Sequence, residues 1–188
     1  MWEGNGCSSM IISAEQIKYP LSGELDEKIY DIQSVWNSQS WTWIKFINDD
    51  YSEWCGEFRG KYIGHAISKK FKSILVLTSD FLYQISMIDG KLQCYEENPN
   101  YINLTVSPDG GYIVSDYYGI FLIEETIKKE TPIVLPIHLD MIEFKGWKGS
   151  KLRIIGDEFI NWDNHIELEL DYKSMKFRIV RQSKIEGE

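Results

Sequence analysis

The stretch LTVSPDGGYIVSDYYGIFLIEE, residues 104–125, decides the fold. Pro108 presets φ for the second position of a tight turn, and Gly110 and Gly111 accept the positive φ that ends one. Strands should flank it. Tyr112-Ile113-Val114 is a short apolar run, Ser115 to Gly119 is a polar, glycine-bearing break, and Ile120 to Ile123 is a second apolar run. That order reads as strand, turn, strand.

The same grammar recurs along the chain. Upstream, Ile74 to Leu77 leads through Ser79-Asp80 into Phe81 to Ile85; downstream, Leu152 to Ile155 leads through Gly156-Asp157-Glu158 into Phe159-Ile160. A weaker copy runs from Trp43 to Ile47 through Asn48-Asp49-Asp50 to Trp54–Phe58. The break acids Asp50, Asp80, Asp116 and Asp157 are separated by 30, 36 and 41 residues. Short strands repeating near 40 residues suggest propeller blades. The residues VSPDGGYIVSDYYGIFLIE resemble the SPDG hairpin of WD-repeat and related β-propeller proteins. Two departures accompany that resemblance: no Trp-Asp pair closes a strand in the WD manner, since Trp162-Asp163 follows a different pattern, and the grammar repeats at most four times. The expectation is an all-β chain with minor helix, a twisted antiparallel sheet of repeated hairpins. It is propeller-like, and its closure is left open.

At the C-terminal end, Ile166 to Leu170 and Met175 to Ile179 alternate with period two around a loop at 171–174. Pairing Leu170 with Met175 sets Leu168 opposite Phe177, and Glu169 and Glu167 opposite Lys176 and Arg178. Residues 1–40 differ in character. Pro20 and Gly23 interrupt them, and only Ile29, Ile32 and Trp36 hint at helical spacing. The reading is an N-terminal segment, 1–40, with a short helix at most, packed on the sheet edge. A single β domain over 41–182 and a polar, frayed tail at 183–188 complete it.

At 188 residues the chain can bury a substantial core, and its 43% hydrophobic and 14% aromatic content excludes a disordered acidic chain. The formal net charge of −9 disfavours nucleic acid and anionic membrane and favours basic partners. Cys7, Cys55 and Cys94 form no CxxC pair, and their odd number suits a reducing, cytoplasmic compartment. Gly6-Cys7 has no basic and apolar region before it, so a lipoprotein-type signal is not expected. No apolar run approaches the length of about 18 residues that spans a bilayer.

No nucleophile motif, HExxH, phosphate loop or dinucleotide loop is present, and His65, His138 and His165 are dispersed. The expectation is a non-enzymatic protein, a monomer on its own, without cofactor or metal. If every break joins equivalent strands, the breaks share one rim carrying Asp49, Asp50, Tyr51, Asp80, Asp116, Tyr117, Tyr118, Asp157 and Glu158. Acids beside tyrosines there form a candidate surface for a basic partner, the acids steering and the rings anchoring. In general character (small, acidic, aromatic-rich, without catalytic motifs) the chain resembles immunity proteins of bacterial contact-dependent inhibition and polymorphic toxin systems. That resemblance implies neutralisation of a basic, nuclease-type cognate toxin. A carbohydrate-active enzyme using rim carboxylates beside tryptophans, and a propeller-like interaction scaffold, are the alternatives.

Overall fold

Alternation builds the first strands. In Trp41–Asn48 every second residue, Thr42, Ile44, Phe46 and Asn48, is buried, so one face of the strand is committed to a core. In Ser73–Thr78 every residue is buried, and the run is continuously apolar between its polar ends. The computed structural model describes residues 9–21 and 23–184; the Gly6-Cys7 pair and the last four residues of the tail lie outside them. Among the described residues there are sixteen strands and no helix.

The chain divides into two compact units, Met1–Pro99 and Asn100–Glu188, where the sequence reading has one β domain over 41–182. The first unit contains two four-stranded sheets. One comprises β1 (Ile11–Ile17), β2 (Asp26–Tyr30), β3 (Trp41–Asn48) and β4 (Glu53–Arg59) in the order β1-β3-β4-β2. The other is a meander of β5 (Tyr62–Ser68), β6 (Ser73–Thr78), β7 (Phe81–Ser86) and β8 (Leu92–Glu97). Residues expected to hold at most a short helix instead supply β1 and β2, the two edges of the first sheet. Pro20 and Gly23 fall between these strands and stop neither. β2 pairs with β4 in parallel, the one parallel pairing among the described strands.

The core of this unit is aromatic. Tyr30 stacks on Phe58 at 4.5 Å, Phe46 on Trp54 at 4.4 Å, and Phe58 meets Tyr83 of the other sheet edge-on at 5.1 Å. Such pairs contribute about 0.5–1.5 kcal/mol each beyond their area burial. Ile44, Ile74, Val76, Phe81 and Ile85 fill the space between them.

The second unit also contains two sheets, both meanders: β9 (Asn103–Val106), β10 (Tyr112–Ser115), β11 (Ile120–Ile123) and β12 (Glu130–Ile133), then β13 (Leu139–Lys148), β14 (Lys151–Glu158), β15 (Asn161–Asp171) and β16 (Lys176–Lys184). Ile113, Ile120 and Ile133 pack with Leu152, Ile154, Ile166, Leu168 and Leu170 in one core. The SPDG turn joins β9 to β10 as its residues require: Ser107 donates to the Gly111 carbonyl at 2.7 Å, and Gly110 takes φ 93°. The all-β, repeated-hairpin architecture is therefore present, as two open four-stranded sheets in each unit.

Two registers differ from expectation. Leu170 faces Phe177 and Glu169 faces Arg178, because the loop is 172–175, with Met175 at φ 50° and the Asp171 carboxylate accepting from Lys173 and Ser174. Glu169 is held at 2.9 Å by Lys151 of β14, not by Lys176. In addition, β14 continues through Gly156, Asp157 and Glu158, so that Phe159-Ile160 forms the turn itself and not a strand.

Candidate functional site: an aromatic surface among acids

The anticipated single rim does not form. In the first unit, Asp49, Asp50 and Tyr51 make the β3–β4 turn, where Asp49 accepts the Met10 amide at 2.9 Å and Ser52 holds the Asp50 carboxyl below its usual range. Asp80, in the β6–β7 turn of the unit's other sheet, lies at the opposite end of β3, accepting the Ser38 amide at 2.7 Å just before β3 begins. The eight residues of β3 separate the two ends by about 25 Å. The cause is strand direction. β1 starts beside Met87 at the end of β7, whereas β5 starts beside the Asp80 turn, so the first strands of the two sheets run in opposite senses. Asp80 is moreover only 4% exposed, with no rim face to offer.

In the second unit the five remaining residues do come together. Asp140 and Leu139 pair with Asp157 and Glu158, and the Ile142 amide donates to the Tyr117 carbonyl at 3.4 Å, which brings the 116–119 break alongside. Tyr118 meets Phe159 edge-on at 6.1 Å, and the two are 58% and 47% exposed. Met141, Ile160 and Trp162 are exposed in the same segments.

Asp116, Asp157 and Glu158 are fixed by local bonds. Asp116 Oδ1 accepts from the Tyr118 and Gly119 amides at 2.8 and 2.6 Å, an Asx turn that leaves the tyrosine ring pointing outward. Asp157 contacts His165 Nδ1 at 2.5 Å, and Glu158 accepts from Asn161 and Asn164. Segments 116–119, 138–141 and 157–163 contain five acids, Asp116, Asp140, Asp157, Glu158 and Asp163, and neither lysine nor arginine. Their summed field is negative over the rings.

Sequence reasoning missed Phe159, Ile160, Met141 and Asp140. Ile160 adopts φ 66° and Met141 φ 53°. A β-branched residue in that region costs roughly 1–3 kcal/mol and persists where surrounding structure or function requires it. The apolar pair after Gly-Asp-Glu was the available signal, and its apolarity reads as strand.

Other titratable groups lie elsewhere. His65 of the first unit is held between the Tyr62 hydroxyl and the Ala14 carbonyl, and burial lowers its pKa. Burial pushes the Cys55 thiol up to about 11. Among the described residues no cluster of three or more His, Cys, Asp or Glu side chains has the geometry to hold a metal ion. Glu57 is raised by desolvation and then by the neighbouring Glu27 carboxyl. A carboxyl raised on folding favours the fold below its unfolded pKa and loses that contribution as pH rises through the folded value. Glu57→Gln should therefore stabilise the protein at pH 7, with the gain shrinking toward pH 4. Urea denaturation at the two pH values measures it, and an equal gain at both would mean that folding does not raise the Glu57 carboxyl.

No family model matches the chain, and no curated protein matches it. Solved structures similar to it include the N-terminal domain of Nup159 (TM-score 0.46, 12% identity, 65% of this chain, 34% of that one). Others are the dihydro-heme d1 dehydrogenase NirN in complex with DHE (0.42, 11%, 78% and 44%) and Kluyvelomyces marxianus Hsv2 (0.39, 10%, 79% and 57%). The chain thus spans 34% to 57% of the length of these structures. Among the described residues no helix is long and apolar enough to cross a membrane.

Proposed function

We propose that the protein is a binding protein, not an enzyme, that captures a basic protein on the Tyr118–Phe159 surface and so neutralises a nuclease-type toxin in the cytoplasm. One observation carries this reading: two half-exposed rings stand in edge contact among five acids, in segments without a lysine or arginine. A nuclease needs positive surface to hold phosphate. An acidic surface with rigid aromatic anchors is complementary to it, the charges accelerating encounter and the rings slowing escape.

The test is binding kinetics against the product of the adjacent gene. Asp116→Asn with Asp157→Asn removes two charges while retaining a carbonyl oxygen to accept the turn amides at 116 and to face His165 at 157. Association should slow by roughly tenfold at low ionic strength, and the deficit should shrink at 0.5 M salt, where the screening length falls to a few ångströms. Binding indifferent to both charges, or no binding at all, would sink the proposal.

A further inference from the structure

β1 leaves its sheet earlier than β3 does. Its last paired residue, Ile17, faces Trp43, so Trp41 and Thr42 have β4 on one side and no β1 partner on the other. A groove of about 540 Å³ lies at this gap, lined by residues 16–19, 40–43 and 61–62. Four of the ten lining residues are aromatic: Tyr19, Trp41, Trp43 and Tyr62. Two are lysines, Lys18 and Lys61, and none is acidic. In a chain of net charge −9, a lining with two lysines and no acid departs from the average composition.

The aromatic walls are positioned by contacts within the first unit. The Arg59 guanidinium lies 3.9 Å from the Trp41 ring, and Asp31 engages its Nη2 at 2.7 Å and Nε at 3.0 Å. Arg59 is thus an ion-paired support for the indole. Tyr19 meets Trp43 edge-on at 5.2 Å, and the Tyr62 hydroxyl is tied to His65 at 2.9 Å. Lys18 and Lys61 are exposed, and the groove lining supplies no carboxylate to either.

We infer that this groove binds a small ring-bearing anion, with the ring against the tryptophans and a carboxylate or phosphate reaching Lys18 and Lys61. Aromatic faces take up the apolar face of a sugar or a base, and the two exposed lysines on a lining without a carboxylate favour the charged form, with Glu57 facing Trp43 from β4 outside that lining. A sugar acid and a nucleotide share this chemistry. The groove belongs to the first unit and does not rest on the toxin-binding reading.

Calorimetric titration of the full chain with adenosine monophosphate and with glucuronic acid tests it, using adenosine and glucose as neutral counterparts. At least one anion should bind, with its neutral counterpart weaker by about tenfold or more. The binding anion identifies the source of the ring. Lys18→Glu with Lys61→Glu should abolish the preference without moving the thermal midpoint, because both lysines are exposed. Indole N–H resonances of Trp41 and Trp43 should shift on binding. Failure of both anions to bind at roughly 10 mM, equal binding of the neutral compounds, or full binding by the lysine variant would overturn the inference.

Discussion

Asp80→Lys is expected to destabilise the first unit strongly, although it changes a residue that reads as an ordinary turn acid. Its carboxylate accepts the Ser38 amide and the Ser79 hydroxyl, each at 2.7 Å, and its own carbonyl accepts the Asn98 amide at 2.8 Å. The turn is therefore bonded to the start of β3 and the end of β8. An ammonium there loses both acceptor oxygens and buries a charge next to the Thr78–Gly60 contact, at a cost of about 3–5 kcal/mol. A unit of this size has roughly 5–15 kcal/mol to lose. Asp80→Asn keeps one acceptor and should cost about 1–2 kcal/mol. Gly60→Ala should resemble the lysine change. Gly60 has φ 104°, and a Cβ would lie 2.5 Å from Thr78 Oγ1 and 2.9 Å from the Asp80 amide. Chemical denaturation of the three variants gives the order. If Asp80→Lys were as stable as the parent, Asp80 would be a surface acid after all.

The contrast between Asp80 and Asp116 shows where sequence reasoning reaches its limit. Both follow a serine and both end an apolar run, but only Asp116 bonds the amides that follow it, whereas the Asp80 carboxylate bonds Ser79 and the distant Ser38. Whether the turn then faces water depends on the direction in which the neighbouring sheet runs. That direction is set by long-range pairing, such as the parallel docking of β2 on β4, for which no local residue signals. Strand interiors were legible for the same reason the turns were. Ile74 to Leu77 and Tyr112 to Val114 are runs whose burial and period are local. Phe159-Ile160 was misread because apolarity normally marks burial, and here it marks an exposed turn. The acids of the candidate surface were therefore readable in part, and its aromatic half was readable only at Tyr117 and Tyr118.

Tyr118→Ala and Phe159→Ala are each expected to raise the dissociation rate of the captured partner by about thirtyfold, equivalent to about 2 kcal/mol, with association nearly unchanged. Ring contacts act at short range, so their loss leaves the long-range field of Asp116, Asp140 and Asp157 intact. The two losses should not add. The rings meet edge-on at 6.1 Å, so each orients the other, and the double variant should fall short of the sum by about 0.5–1.5 kcal/mol. Stability should move little, since both rings are about half exposed and neither belongs to the isoleucine and leucine core of the unit. Ionic strength separates the two classes of variant. Moving from 0.05 to 0.5 M salt should leave the ring variants' ratio to the parent unchanged while eroding the ratio for the Asp116→Asn, Asp157→Asn protein. Strictly additive ring losses, or a salt response shared by both classes, would mean that the partner contacts some other face and that Tyr118 and Phe159 are exposed only because their turns leave them so.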